Sequence, residues 1–260
     1  MLTLPAILLE AWELMPAQPK VSVVMPVFNM QAYLKDSILS ILNQTYKDWE
    51  LILCDDDSTD DSWGITSKFD DSRIIWIPYP KNTGVCKTIN RGIKQATGEY
   101  IALVAADDLL TKDSLTLRLS KIGNHDLICG QVLKIDKDTT LDEAYSLPLK
   151  PPIYSKYFYG PTNLIHRRVF EKWGLFDESL EYGSDREMWV RLFGKDRGRK
   201  DRATFLCLPD IVGYYRVRPD SIQQTTKMTS PENKARLRSA IHTAIDSRLN
   251  EVGPEIKRLL

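Results

Sequence analysis

Val21-Ser-Val-Val-Met-Pro-Val-Phe28 is the stretch that decides the fold of this chain. Such a continuous apolar run predicts a strand buried on both faces, as in a parallel sheet covered by helices. Comparable runs follow at Glu50-Leu-Ile-Leu-Cys54, Arg73-Ile-Ile-Trp-Ile77 and Tyr100-Ile-Ala-Leu-Val104, separated by segments long enough for crossover helices. The sequence therefore predicts an α/β domain with a mixed, mostly parallel central sheet flanked by helices.

Acidic residues follow two of these predicted strands. Asp55 to Asp57 come directly after the second strand, and Asp107 and Asp108 follow the fourth. In parallel sheets, ligands bind at the carboxyl ends of the strands, so these side chains gather where the fold places a site. Asn29, after the first strand, is predicted to be the N-cap of the helix that connects the first two strands. Another helix is predicted at roughly residues 85–96.

The rest of the chain is less regular. A strand-like run begins at Leu127, a helix is predicted around Asp185, and a further strand is predicted from Thr204 to Val217. The chain is predicted to divide into an amphipathic lead segment, one main domain and an amphipathic helical tail, at residues 1–19, 20–225 and 226–260.

Composition excludes several classes of protein. Lys+Arg and Asp+Glu both number 35, so the chain lacks the basic excess that nucleic-acid partners usually require. The three histidines are scattered, which argues against a zinc site built from histidines. The cysteines form no C-x-x-C pair and are predicted to be reduced core residues of a reducing compartment: Cys54, Cys86, Cys129 and Cys207.

The lead segment is apolar in places, but Glu10 and Glu13 interrupt it and no Lys or Arg precedes Lys20. This pattern is not that of a signal peptide, and it is too short to span a bilayer. Two interpretations stay open: a helix packed on the domain, or a helix docked on a partner or on the inner face of a membrane. The predicted location is the cytoplasm.

Asp107 and Asp108 are candidate ligands of a divalent metal. Mg²⁺ and Mn²⁺ prefer oxygen ligands and usually take one or two carboxylates, with substrate phosphates and water completing the shell. An aspartate before Leu109 is equally suited to cap a helix, so spacing alone leaves both interpretations open.

Beyond the first strand, a set of motifs occurs in a fixed order, and together with downstream elements it covers about Lys20 to Gln224: Ser40-Ile-Leu-Asn-Gln-Thr-Tyr46, Asp55-Asp-Asp-Ser-Thr-Asp60, Asn82-Thr-Gly84, Gly98-Glu-Tyr-Ile101 and Ala106-Asp-Asp108. The ordered set resembles the family 2 glycosyltransferases. The resemblance implies a Rossmann-like GT-A fold, with residues 20–108 as the nucleotide-binding half and 109–225 as the acceptor half.

The resemblance also implies the chemistry. A sugar would pass from a nucleotide-diphospho-sugar, with a UDP-sugar favoured, to a saccharide, glycolipid or other hydroxyl acceptor. The reaction would be a single in-line displacement with inversion, assisted by Mn²⁺ or Mg²⁺.

Resemblance assigns residues to the donor. The turn after the first strand and the aspartates after the second would hold the nucleoside: Pro26, Val27, Phe28, Asn29, Asp55, Asp56 and Asp57. The helix after Asn82-Thr-Gly84 would meet the diphosphate through Lys87, Asn90 and Arg91, with Ala106 beside the metal ligands. The alternatives are a turn with a helix cap at 57–60 and solvated helix cations at Lys87 and Arg91.

Asp185, in Gly183-Ser-Asp185, takes the position of the family's catalytic base, although an aspartate there can also cap a helix. Arg216 and Arg218 match an element near the phosphates, with Arg218 replacing the usual His. Ala105 stands where the family's first metal-motif Asp is expected. Because arginine clamps phosphate but cannot bind a metal, we hypothesise that leaving-group stabilisation shifts from metal toward arginine.

Several alternatives remain. A group of aromatic residues either stacks against an acceptor sugar or packs in the core: Tyr154, Tyr157, Phe158, Tyr159 and Trp173. A catalytically degenerate module that binds a nucleotide sugar or a partner is the main rival function, motivated by Ala105 and Arg218. A sugar-phosphate nucleotidyltransferase would need a glycine-rich loop after the first strand, and a glycoside hydrolase is disfavoured by carboxylates clustered as for a metal.

Overall fold

The computed structural model describes residues 21–148, 162–180, 184–193 and 202–219. The lead segment, the tail and the aromatic run at 154–159 lie outside them. The strands are β1 (Val21–Val27), β2 (Trp49–Asp55), β3 (Ile74–Pro78), β4 (Tyr100–Leu103), β5 (Leu109–Leu110), β6 (Leu127–Asp136), β7 (Asn163–His166) and β8 (Phe205–Val217). The helices are α1 (Leu34–Leu42), α2 (Ser62–Thr66), α3 (Val85–Gln95), α4 (Ser114–Ile122), α5 (Leu141–Ser146), α6 (Arg168–Trp173) and α7 (Ser184–Phe193).

The described strands form one eight-stranded sheet in the order β3-β2-β1-β4-β7-β6-β8-β5. The first four strands along the chain are parallel to one another, as are β6 and β8. β7 is antiparallel to both of its neighbours, and the short β5 is antiparallel to β8. The predicted α/β fold with a mixed, mostly parallel sheet is confirmed.

The central strands are buried because helices cover both faces of the sheet. Successive residues of β1 point to opposite sides, so Val23 joins the apolar cluster that includes Ile38 of α1. Val24 joins the cluster on the other face, with Ile93 of α3. On that face the contact is tight, because a Cβ at Gly92 would lie 2.4 Å from Val24 Cγ1 and 2.8 Å from Cys54 Sγ. Glycine therefore lets α3 approach β1 and β2 closely.

The turn after β1 differs from its prediction. Asn29 is not an N-cap, because α1 begins at Leu34 with Tyr33 as its N-cap. Asn29 has a φ of 54°, and its Oδ1 accepts a hydrogen bond from Thr59 N at 2.8 Å. Asparagine is favoured both at caps and in the left-handed region, and here the second preference prevails.

Cys207 is exposed, so its prediction as a core residue was wrong, whereas Cys54, Cys86 and Cys129 are buried as predicted. Among the described strands, the short β5 pairs with β8 only at Gly213 and Tyr214, so the first half of β8 has β6 as its one neighbour. Among the described residues, none of the helices has the length and apolar character needed to cross a membrane.

Candidate active site

The turn after β1 is fastened to the loop after β2. Asn29 N donates to Ser58 Oγ at 3.0 Å, and Gln31 N donates to Asp60 Oδ2 at 2.8 Å. Val27 is core, whereas Phe28 is 43% exposed at the carboxyl end of β1. Pro26 lies within β1, opposite Cys54. Of the four residues of this turn that were predicted to contact the nucleoside, Phe28 and Asn29 are therefore the two exposed ones.

The three consecutive aspartates have different environments. Asp55 is buried and accepts a hydrogen bond from Ser58 N at 3.1 Å. Asp56 is 3% exposed and accepts from Thr83 N at 3.0 Å and Gly84 N at 2.8 Å. Asp57 is exposed, with a φ of 69°. Asp56 thus joins the end of β2 to the start of α3.

Arg91 lies beside Asp56. Its guanidinium carbon is 4.2 Å from the centroid of the Tyr79 ring, and its Nη1 is 4.0 Å from Asp56 Oδ1. Nη1 is buried and has no hydrogen-bond acceptor among the described residues. A donor and an acceptor therefore stand side by side next to an aromatic ring. Tyr79 was not predicted, because nothing in its local sequence marks it.

The other two predicted residues of α3 differ in their surroundings. Lys87 is half-buried near the helix start. Asn90 is 1% exposed, its Nδ2 donates to Phe176 O at 2.9 Å, and its Oδ1 accepts from Phe176 N at 3.0 Å. Both polar atoms of the Asn90 side chain hydrogen-bond to the main chain of the loop after α6, so the structure does not present this amide to a diphosphate.

Asp107 and Asp108 follow β4 but face different partners. Asp107 Oδ2 accepts a hydrogen bond from Arg218 Nε at 2.7 Å, within an ion pair whose side chains are 14% and 10% exposed. Asp108 is 2% exposed, and its Oδ1 accepts from Arg216 N at 2.9 Å. Burial, and then the neighbouring Asp107 carboxylate, raise the pKa of Asp108 well above its usual value. Ala106, predicted beside them, is buried.

This arrangement fits a metal held by one protein carboxylate. Asp107 can supply a ligand oxygen, whereas Asp108 is enclosed behind it. Among the described residues, no three His, Cys, Asp or Glu side chains come close enough to hold an ion by themselves. A divalent cation at Asp107 therefore needs substrate phosphates and water for the rest of its shell, as is common for Mg²⁺.

Arg216 connects the loop after β4 to the loop after β6 through hydrogen bonds to main-chain oxygens. It is 2% exposed, and its Nε donates to Asp107 O at 2.8 Å. Its Nη1 donates to the main-chain oxygens of Asp136, Lys137 and Thr139. Burial lowers the pKa of Arg216. The guanidinium thus binds main chain, which is not the leaving-group contact predicted for it.

Tyr33 was missed as a site residue, because its sequence signal is only that of a helical apolar position. Its ring centroid is 5.2 Å from the guanidinium carbon of Arg216 and 5.1 Å from that of Arg218. An aromatic face near two cations stabilises both of them. Tyr33 therefore helps to hold Arg218 against Asp107.

Asp185 lies exposed in the first turn of α7. The preceding Ser184 hydrogen-bonds to Cys86 in the first turn of α3; burial and then the Asp185 charge raise the pKa of Cys86, and the Ser184 bond opposes them. Because the turn before α3 binds Asp56, α7 begins at the same edge of the sheet as the other acidic residues.

Glu187, two residues further along α7, has a different role. It is fully buried and forms an ion pair with Arg191 at 2.8 Å. Arg191 also donates to the main-chain oxygens of Trp173, Gly174 and Leu175. Glu187 is thus part of the packing between α7 and the end of α6, and Asp185 is the exposed carboxylate of the first turn.

Comparison with known proteins defines the class and then the family. The fold is GT-A: the structure of Staphylococcus aureus TarS residues 1–349, in complex with UDP-GlcNAc, superposes with a TM-score of 0.68 at 22% identity over 89% of this chain and 67% of that one. The family description "Glycosyl transferase family 2" matches residues 22–182. The chain belongs to this family, which confirms the resemblance seen in the ordered motifs.

Two relatives show how far the similarity extends. An uncharacterized glycosyltransferase of Rickettsia prowazekii is 35% identical over 190 residues, which is 67% of this chain and 59% of the relative. The chain therefore matches less than two thirds of the length of that protein. The Escherichia coli UDP-Glc:alpha-D-GlcNAc-diphosphoundecaprenol beta-1,3-glucosyltransferase WfaP is 30% identical over 206 residues, or 78% of this chain and 79% of the relative.

Proposed function

We propose that this protein transfers a sugar, with inversion, from a nucleotide-diphospho-sugar to a hydroxyl group of a saccharide or glycolipid. The observation that carries the proposal is the Asp107–Arg218 ion pair at the carboxyl end of β4. It combines a carboxylate suited to a divalent metal with a guanidinium suited to phosphate oxygens. The relative WfaP, whose name specifies UDP-Glc and a lipid-linked GlcNAc, supports this donor and acceptor class.

The contacts around Asp56 support a nucleotide that carries uracil or guanine, and the UDP-Glc in the name of the relative WfaP favours uracil. Asp56 Oδ1 is an acceptor and the adjacent Arg91 Nη1 is a donor. Together they complement a base edge on which an N–H stands beside a carbonyl, as in uracil and guanine. Cytosine and adenine present an acceptor nitrogen beside an amino group and would place that nitrogen against the carboxylate. On binding, the base N–H replaces the Thr83 hydroxyl, which donates to Oδ1 at 3.1 Å.

The reaction needs few groups from the protein. Asp185 accepts the proton of the acceptor hydroxyl while its oxygen attacks the anomeric carbon. The bond from that carbon to the donor diphosphate breaks in the same step, so no covalent enzyme intermediate forms. Arg218 leaves Asp107 and pairs with the departing phosphates. Asp107 would hold a divalent metal, and the metal would supply positive charge opposite the diphosphate.

A catalytically degenerate module is the second candidate. Arg218 occupies the carboxylate that a metal would need, and Ala105 stands where the family's first metal-motif Asp is expected. Such a module would bind the nucleotide sugar or a partner without transferring the sugar. The two candidates share the donor site and differ only in turnover.

The first experiment is a thermal-shift screen of UDP, GDP, TDP, CDP and ADP, each with and without Mn²⁺. A ligand that binds only the folded state raises the melting temperature. We expect UDP to stabilise most, with a further rise on adding Mn²⁺ that Asp107→Ala removes. Asp138→Ala is the matched control, because that carboxylate is 82% exposed and pairs with Lys137.

The screen also separates the alternatives. If none of the five nucleotides shifts the melting temperature, the donor site is refuted. Stabilisation by UDP without sugar transfer to any acceptor of a saccharide or lipid-linked panel favours the degenerate module. The anomeric configuration of a product, measured by NMR, tests inversion.

A further inference from the structure

Cys129 and Cys207 stand directly opposite each other on the parallel strands β6 and β8. Their Sγ atoms are 2.6 Å apart. Paired residues of neighbouring parallel strands project to the same face, and the strands are spaced by about 4.8 Å. This spacing lies within the roughly 4.4–6.8 Å range of Cα separations that a disulfide spans. The backbone can therefore accept a bond between these residues without moving.

The two sulfurs differ in access. Cys207 is exposed on the edge half of β8, whereas Cys129 is 6% exposed. Burial, and then the contact with Cys207, raise the pKa of Cys129, while the positive charge of the buried Arg118 partly opposes them. Because the Cys207 sulfur is the exposed one and burial disfavours the thiolate of Cys129, Cys207 reacts first with a reagent from solvent. Cys129 is in place to attack second, with the Arg118 charge favouring its thiolate.

The remaining cysteines supply an internal contrast. Cys54 and Cys86 are buried in the apolar cluster between the sheet and α3. Burial raises the pKa of Cys54 to about 12. Neither residue is on β6 or β8, so oxidation at the edge of the sheet leaves them as thiols.

We propose that Cys129 and Cys207 form a redox-active dithiol that low-molecular-weight disulfides convert into a cross-strand disulfide. The Cys207 thiolate attacks the reagent disulfide, forms a mixed disulfide and releases one thiol. Cys129 then loses its proton, attacks Cys207 Sγ and releases the second thiol. Two protein thiols and one reagent disulfide thus become one protein disulfide and two reagent thiols.

The bond would constrain the chain where the β6–β8 pairing is irregular. The register shifts between Cys129 and Gln131 and again between Gln131 and Val132. The two cysteines are 78 positions apart, and the closed loop includes α7 with Asp185. Closing a loop of this length restricts the unfolded chain, and we expect the melting temperature to rise on the order of 10 °C.

The test treats the full chain with oxidised glutathione, followed by thiol titration under denaturing conditions and peptide mass mapping. We expect two of the four thiols to disappear, a cross-link between the Cys129 and Cys207 peptides, and a higher melting temperature that dithiothreitol reverses. Four surviving thiols would overturn the proposal. So would a glutathione adduct that stays on Cys207 of the unaltered chain.

Single variants locate each step. Cys129→Ser should accumulate glutathione on Cys207, because the attacking partner is gone, and Cys207→Ser should not react. Cys86→Ser is the control and should still form the cross-link. Loss of the cross-link in Cys86→Ser would contradict the proposal, because it would show that the disulfide depends on Cys86. The mapping of the unaltered chain decides the proposal even where a variant folds poorly.

Discussion

Replacing Arg218 by alanine should change the binding of metal and of nucleotide in opposite directions. Arg218 Nε donates to Asp107 Oδ2 at 2.7 Å, and the side chains of Arg218 and Asp107 are only 10% and 14% exposed. A hydrogen bond to a charged group contributes about 1.5–3 kcal/mol. A cation that must displace Arg218 from Asp107 loses that amount of binding free energy. Arg218→Ala should therefore bind Mn²⁺ roughly 10- to 150-fold more tightly in the absence of nucleotide.

The same variant should bind UDP more weakly, because the guanidinium that pairs with the phosphates is missing. Titration calorimetry measures both affinities, with Mn²⁺ alone in one series and UDP without metal in the other. Arg168→Ala is the matched control: Arg168 Nε also lies 2.7 Å from an aspartate oxygen, that of Asp126. It should leave both affinities unchanged.

Two results would refute this reasoning. An Mn²⁺ affinity that does not change in Arg218→Ala would mean that Asp107 is not the carboxylate for which metal and arginine compete. Full sugar transfer by the purified variant would remove Arg218 from leaving-group stabilisation.

Three further predictions concern other parts of the chain. Asp185→Asn should reduce turnover about 10²- to 10⁴-fold while UDP affinity in the thermal-shift assay is retained, since it removes only the proton acceptor; loss of both would show a structural role. Arg91→Ala should reduce the preference for UDP over CDP about 10-fold in competition binding, which is the discrimination expected from one contact to a base. An unaltered preference would exclude Arg91 from base recognition. Gly92→Ala should lower the free energy of unfolding by about 1–3 kcal/mol in urea titration, because the new Cβ overpacks against Val24. In the double variant with Val24→Ala the combined loss should be smaller than the sum of the single losses, whereas simple additivity would argue against the clash.

Local sequence was sufficient for the central strands, but it missed elements such as β7 and α4 and was insufficient for the roles of several polar residues. Apolar runs such as 21–28 predict the central strands because burial on both faces leaves a clear signal. Asn90 was predicted to meet a diphosphate, but its partner Phe176 is 86 positions away. Arg216 likewise binds Asp136 O at a separation of 80 positions. Hydrogen bonds of this kind depend on strand order and register, which residue spacing does not encode.

The position of β8 limits how this protein can be recombined with its relatives. Arg218, directly after β8, reaches Asp107 after β4, and the two residues are 111 positions apart in the chain. A chimera that exchanges everything after Asp108 would separate two side chains that form an ion pair in this protein. The segment between β5 and β8 is therefore the one to exchange in a chimera, and β8 itself should come from the same parent as the amino-terminal half.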